Sequence, residues 1–243
     1  MRFTHYVALG DSMSSDHYPT CDVRGVEFPP PRLDPLGAAA LLHRNDDSRW
    51  EEFSGRDLAT RCPGLSYTDL TEDGAMLDDV LLDELPRRGP GSGAATVLVT
   101  LTVGGNDLLD AVFARRPLDK AVPAIERRYG ELVATLRDEL PAATLVLTTV
   151  YDPTDGTGRL PRLEGLGRLP LEYLYRFNGL VRHTASRTPN ARLADVHRHF
   201  LGHGVTAPEP ERWFWSPNPI EPSARGASEI RRVWWAALED RLR

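Results

Sequence analysis

Apolar runs alternate with helix-length segments along this chain of 243 residues, and the alternation limits the folds open to it. Four runs rich in Val, Leu or Ala are typical of buried parallel strands. They cover residues 3–9, 96–103, 144–150 and 191–196, with a weaker fifth run at residues 66–70. The helical segments, with apolar residues three and four positions apart, include residues 75–85, 118–140, 171–188 and 224–242. This order predicts an α/β fold in which helices cover both faces of a mostly parallel sheet.

Length and apolar content indicate a globular protein. We predict a single domain over residues 1–243, because this length fits one α/β core. A membrane span needs about 20 consecutive apolar residues, and no run approaches that length, so we expect no membrane insertion. The first residues lead directly into a predicted strand and leave no room for a signal peptide, which indicates a cytoplasmic protein.

Charge and cysteine content exclude two further classes of protein. The net charge is −6 and the arginines are scattered, which argues against a nucleic-acid partner. Only Cys21 and Cys62 are present, too few for a disulfide framework, and we expect both thiols to be unpaired in a reducing compartment.

A serine stands directly after the first predicted strand, in Gly10-Asp11-Ser12. Ligands bind at the carboxyl ends of the strands in an open parallel sheet, so we expect Ser12 to face a cleft at the start of a helix. Gly10 permits the sharp turn, and backbone N–H groups at a helix N-terminus favour a nucleophile. The alternative is that Ser12 only caps a helix.

Two other corners offer hydrogen-bond donors to the same cleft. Asn106, in Gly104-Gly105-Asn106-Asp107, follows the run at 96–103, and its amide can donate to an oxyanion, an arrangement worth roughly 3–4 kcal/mol. Gly74 lies between the weak strand and a helix, where its backbone N–H can add a donor. The alternative role of Asn106 is that of a turn residue. Asp11 and Asp107 are expected to hold backbone N–H groups.

In the order and setting of these blocks the chain resembles the SGNH (GDSL-type) hydrolase family. Gly10-Asp11-Ser12, Gly74 and Gly104-Gly105-Asn106-Asp107 match its first three blocks. The resemblance implies a flavodoxin-like three-layer α/β/α sandwich and acyl-ester chemistry without a cofactor or metal. It also implies that Ser12 is the nucleophile, and that Ser12 N–H, Gly74 N–H and the Asn106 amide form the oxyanion hole.

The fourth block departs from that family. Where the family has an aspartate, two residues and a histidine, this chain has Asn218-Pro219-Ile220-Glu221. A carboxylate with an ordinary pKa near 4.3 is a poor base for a serine unless burial raises that pKa. We therefore predict that His203, flanked by glycines after the last predicted strand, is the general base and that Glu221 orients its imidazole. Direct base action by Glu221 is the alternative, and His17 is a second-choice base.

The predicted activity is hydrolysis of a small-molecule ester through an acyl-serine intermediate. An acyltransferase remains open, because it shares the serine, the oxyanion hole and the covalent intermediate. A catalytically silent binding protein on the same fold is also open. A metal site at His197, His199 and His203 is a further alternative, but it needs ligands from elsewhere.

Irregular segments and aromatic residues supply candidate walls for the cleft. Residues 16–35 and 152–170 are rich in Pro and Gly and are predicted to be long loops that form walls or lids. Trp213, Phe214 and Trp215 precede the fourth block and can form an apolar wall, with at least one of them in the core. Asp195, near a strand end, is a candidate orienter for a histidine.

Overall fold

Five parallel strands form one sheet in the order β2-β1-β3-β4-β5. The computed structural model describes residues 2–88, 96–161, 165 and 167–242. The strands are β1 (His5–Gly10), β2 (Ser66–Asp69), β3 (Val97–Thr102), β4 (Thr144–Thr148) and β5 (Ala191–Ala194). This strand order is that of flavodoxin-like sheets. All five predicted strands are therefore confirmed, each within two residues of its predicted ends.

Helices flank the sheet on both sides, which confirms the predicted α/β/α sandwich. Within the described residues they are α1 (His17–Arg24), α2 (Ala38–His43), α3 (Leu58–Arg61), α4 (Leu77–Asp79), α5 (Leu85–Arg87), α6 (Gly105–Phe113), α7 (Leu118–Glu139), α8 (Leu171–Arg187), α9 (Val196–Phe200) and α10 (Ala224–Leu242). A π-helical turn, Val80–Glu84, joins α4 to α5. Helices α1, α2 and α10 pack together as one layer, and α4, α6, α7 and α8 form the other.

Helix α10 shows why the pattern predicts the fold well. Ile230, Trp234 and Leu238 recur at intervals of four residues, and all three are fully buried. The indole N–H of Trp234 donates to Thr148 Oγ1 over 2.9 Å, which ties the helix to the end of β4. The predicted apolar face of this helix therefore docks on the sheet.

Three local predictions need correction. The segment 16–35 is not irregular throughout, because its first part forms α1 with Pro19 in the first turn, where a missing N–H costs little. The predicted helix over 75–85 is interrupted by the π-helical turn. Ser12 lies in a turn and not at a helix start, since α1 begins only at His17.

Two expectations about the chain as a whole can be compared with the structure. Cys21 and Cys62 are both buried and carry free thiols, as predicted. No helix among the described residues has the length and apolar character required to cross a membrane.

Candidate active site

Ser12 follows β1, at the point in the sheet where the order of successive strands reverses. Strands β1 and β3 are neighbours, and β2 extends from β1 on one side while β4 extends from β3 on the other. Ligands bind at such a switch point in open α/β sheets. The turn after β1 is fixed by two bonds of Asp11: its N–H donates to Thr102 O (2.9 Å), and its Oδ1 accepts from Met13 N–H (3.1 Å). The turn thus holds Ser12 at this switch point.

Gly10 is required for that turn. Its φ is +126°, and a Cβ at this position would overlap the backbone carbonyl of Thr102. We expect Gly10→Ala to lower the free energy of unfolding by about 2–4 kcal/mol, because strain and overlap add. Urea denaturation measures this. Gly130→Ala is the matched control: Gly130 lies inside α7, and the space that its new methyl group would fill is open, so that change should stabilise the protein by about 0.5–1 kcal/mol. Equal midpoints for the two variants would contradict the prediction.

Asn106 and Gly74 are held next to each other. Asn106 lies in the first turn of α6, directly after β3, and its Nδ2 donates to the carbonyl of Ala75 over 3.0 Å. The Asp107 carboxylate accepts from Leu77 N–H (3.2 Å) and ties the same segment at the start of α4. Gly74 adopts φ +77° beside Ala75. The structure thus brings Asn106 to the segment that carries Gly74, and the predicted backbone-holding roles of Asp11 and Asp107 are confirmed.

Glu221 lies against Ser12. It occupies the turn before α10, where its carbonyl accepts from Trp215 N–H (2.8 Å) and its N–H donates to Asn218 O (3.0 Å). Burial raises the pKa of the Glu221 carboxyl to about 7, with the charges of Asp73 and Asp11 adding to the effect and a hydrogen bond with Ser12 opposing it. Its Oε2 is buried and has no hydrogen-bond partner in the described part of the chain. A carboxyl with this pKa can both accept and donate a proton near neutral pH.

His203 lies elsewhere. Its ring stacks on Trp213 with centroids 3.6 Å apart, and its Nδ1 donates to the carbonyl of Glu211 over 2.8 Å. It is not among the described residues that line the cleft with Ser12 and Glu221. The physical reason is packing: the turn at Gly202, with φ +89°, and the indole face of Trp213 hold the imidazole away from Ser12. The geometry gives no support to the predicted Ser12–His203–Glu221 triad.

His197, His199 and Asp195 each contact a different residue outside the site. His199 Nε2 lies 2.8 Å from Glu229 Oε2, and the His197 ring packs edge-on against Tyr175. Asp195 pairs with Arg182 over 2.9 Å and orients no histidine. Among the described residues no three metal-binding side chains converge on one point.

His17 is placed near the site by Asp73. Its Nδ1 lies 3.3 Å from Asp73 Oδ2, and the other oxygen of Asp73 accepts from the Ser15 hydroxyl over 2.5 Å. Asp73 precedes Gly74 in the chain and acts electrostatically on Glu221. The bond between Ser15 and Asp73 therefore ties the Gly74 segment to the turn after Ser12.

An apolar cleft opens from Ser12, Asn106 and Glu221. It runs between α6 and α8, and the described part of the segment 152–170 forms one wall through Pro153, Leu160 and Leu169, as predicted for this loop. Trp213, Phe214 and Trp215 are buried and are not among the described residues that line it. The apolar side chains that line it include Leu108, Leu109, Val112, Leu118, Leu160, Leu169, Leu171 and Leu174.

The sequence analysis does not single out Glu84, which lies behind the turn that carries Ser12. Its side chain is 1% exposed, and its Oε2 accepts from Gly10 N–H over 2.7 Å. Burial raises the pKa of this carboxyl to about 8, and the charge of Asp11 adds to the effect. A signal was present: Glu84 follows Leu77 and Val80 at positions i, i+3 and i+7, so an acid occupies the apolar face of the helical pattern.

Solved structures of ester-cleaving enzymes share this fold. The phospholipase A1 from Streptomyces albidoflavus NA297 is 20% identical, with a TM-score of 0.60 over 97% of this chain and 99% of that one. An extracellular lipase from Streptomyces rimosus is 21% identical, with a TM-score of 0.61 over 96% and 99%. An acetylxylan esterase from Geobacillus stearothermophilus is 15% identical, with a TM-score of 0.62 over 98% and 94%.

A match between the sequence and a family profile assigns the chain to a family. None of the curated proteins matches this chain in sequence. The sequence profile of the GDSL-like Lipase/Acylhydrolase family, in contrast, matches residues 8–228, a range that begins in β1 and ends in α10 and includes Ser12, Gly74, Asn106 and Glu221. The chain therefore belongs to the GDSL-like lipase/acylhydrolase family.

Proposed function

We propose that this protein is a serine esterase in which Ser12 is the nucleophile and Glu221 is the general base. The observation that carries the proposal is the buried Glu221 carboxyl beside the Ser12 hydroxyl, with its pKa raised to about 7. A general base works best when its pKa is near the working pH. This geometry favours direct base action by Glu221 over base action by His203.

The first half-reaction forms an acyl-enzyme. The Glu221 carboxylate takes the proton of the Ser12 hydroxyl as Oγ attacks the ester carbonyl carbon. The carbonyl oxygen becomes an oxyanion, for which Ser12 N–H, Gly74 N–H and the Asn106 amide are the donors. When the tetrahedral intermediate collapses, the carbon–oxygen bond to the alcohol breaks and protonated Glu221 returns its proton to the leaving oxygen.

The second half-reaction releases the acid. Glu221, again a carboxylate, takes a proton from a water molecule that attacks the acyl carbon. The same donors stabilise the second oxyanion, and collapse expels Ser12 Oγ, which recovers its proton from Glu221. Ser12 is again a hydroxyl and Glu221 a carboxylate, and the proposed reaction needs no cofactor.

The apolar cleft supports an ester with an apolar acyl group. Leucines on α6 and α8 and along the 152–170 segment surround the space next to Ser12. An alkyl or acyl chain gains about 0.8 kcal/mol for each methylene buried in such surroundings. The substrate class is therefore a small-molecule ester whose acyl chain lies in this cleft.

A serine-directed fluorophosphonate probe tests the nucleophile. We expect the probe to label the wild type and to leave Ser12→Ala unlabelled, as read by intact-protein mass spectrometry. Ser14→Ala is the control, because Ser14 is buried in the same turn, with its hydroxyl 2.7 Å from Thr102 Oγ1. Label on Ser12→Ala, or a wild type that resists the probe, would contradict the proposal and favour a silent binding protein.

The pH profile of kcat/KM follows from the ionisation state of the Glu221 carboxyl. The carboxylate is the active form, so we expect kcat/KM to rise with pH through about 7 and then to level off. The charge of Asp73 contributes to raising the pKa of Glu221, so Asp73→Asn should move the rise to lower pH. Initial rates with a short ester between about pH 5 and about pH 9 measure both curves. A wild-type rate that is flat across neutral pH would refute this assignment.

A further inference from the structure

A row of three aromatic rings leads away from Glu221 along the side of α1. We name Trp215, Tyr18 and Phe28 the aromatic rim. Tyr18 packs against Trp215 with centroids 5.4 Å apart and stacks on Phe28 at 4.9 Å with an interplanar angle of 16°. Trp215 is buried, whereas Phe28 is 44% exposed. The row therefore runs from the interior of the site to the surface.

The buried end of the aromatic rim is linked to Glu221 through a hydrogen bond between the two backbones. Trp215 N–H donates to the carbonyl of Glu221 over 2.8 Å. Tyr18 lies within electrostatic reach of the same residue: burial raises the pKa of its phenol, and the charge of Glu221 raises it further. No ring of the rim is among the described residues that line the apolar cleft. The rim is therefore linked to Glu221 but lies outside the cleft, whose lining includes the Glu221 side of the same site.

The chemistry assigns different halves of the ester to these two surfaces. Glu221 returns its proton to the leaving oxygen, so the alcohol half must lie beside Glu221 when the bond breaks. The acyl half is bonded to the same carbon and occupies the cleft between α6 and α8. The aromatic rim lies outside the cleft and is linked to Glu221 through the backbone of Trp215.

Resting on the proposed esterase function, we propose that the aromatic rim is the alcohol-side subsite and that it takes an alcohol with a flat aromatic ring. Aromatic rings attract one another in offset-stacked and edge-to-face arrangements beyond the effect of area alone. Phe28 presents an exposed ring in line with Tyr18, and a substrate ring placed there would extend the existing stack.

A comparison of two esters with the same acid tests the subsite. Benzyl butyrate and ethyl butyrate share an acyl group and have alcohols of similar acidity, so they differ mainly in the ring. We expect Phe28→Ala to lower kcat/KM for the benzyl ester about three- to tenfold and to change the ethyl ester less than about twofold. Phe113→Ala is the matched control, since Phe113 is equally exposed at the far end of α6. We expect it to leave both esters unchanged.

Binding to Ser12→Ala separates the subsite from the esterase proposal. An NMR titration of this variant with benzyl butyrate needs no turnover, and adding Phe28→Ala should weaken binding about three- to tenfold. Weaker binding in a protein whose wild type hydrolyses neither ester would support the rim and overturn the esterase. Equal losses for the two esters, or unchanged binding in the double variant, would overturn the rim and leave the esterase standing.

Discussion

Glu221→Gln should lower kcat/KM for short esters by about 10²–10⁴-fold, the range that general-base catalysis contributes. Glutamine keeps the shape of the side chain and can still hydrogen-bond Ser12, but it cannot accept a proton. The buried site should fold unchanged, because the variant removes a carboxyl whose burial already disfavours the charged form. Initial rates with p-nitrophenyl esters, together with thermal unfolding, measure both properties.

His203→Gln is the matched control for that experiment. The imidazole stacks on Trp213 and donates to the carbonyl of Glu211, and glutamine can replace the hydrogen bond although not the stacking. We expect a small loss of stability and a kcat/KM within about threefold of the wild type. Loss of activity in His203→Gln as large as that in Glu221→Gln would restore the triad predicted from sequence, in which Glu221 orients His203.

Asn106→Ala should lower kcat by about 10²–10³-fold with a smaller change in KM. Loss of a single oxyanion-hole donor has this effect because the donor meets the developing charge and not the ground-state substrate. One N–H of this amide is used by the carbonyl of Ala75 at 3.0 Å, which aims the side chain from α6 towards the segment of Gly74. Steady-state kinetics that separate kcat from KM give the result.

A control for Asn106 must preserve the link between α6 and the Gly74 segment. Asp107→Asn does so, because the amide oxygen still accepts from Leu77 N–H, while the variant leaves Asn106 in place. We expect its kcat to stay within about threefold of the wild type. An equal loss of kcat in Asp107→Asn, which keeps both this link and the Asn106 amide, would show that the loss is not specific to Asn106 and would contradict its role as an oxyanion donor.

The sequence predicts the architecture well because the relevant patterns are local. Apolar runs such as residues 96–103 and 144–150 are buried strands in the structure, and Ile230, Trp234 and Leu238 form the docking face of α10. Parallel strands bring their carboxyl ends to one edge, so Ser12 after β1 and Asn106 after β3 are expected to share a cleft, and they do.

The proposed base, Glu221, is harder to predict, because its properties arise from tertiary packing. Glu221 gains its raised pKa from burial and from two distant acids, Asp11 and Asp73, none of which a local pattern displays. The flanking glycines of His203 free its direction, yet the stacking on Trp213 decides where the ring lies. Helix α1 is not predicted for a simpler reason. The Pro and Gly content of residues 16–35 is typical of a loop, but a short helix can contain Pro19 in its first turn.

A direct measurement of the pKa of Glu221 tests whether this carboxyl is the base. A ¹³C NMR titration of the Glu221 carboxyl, assigned with Glu221→Gln, gives its pKa, and the rise of wild-type kcat/KM with pH gives the kinetic value. We expect the two values to coincide near 7. A carboxyl that titrates near its ordinary value of about 4.3, beside a kinetic pKa near 7, would contradict it and return the role of base to a histidine.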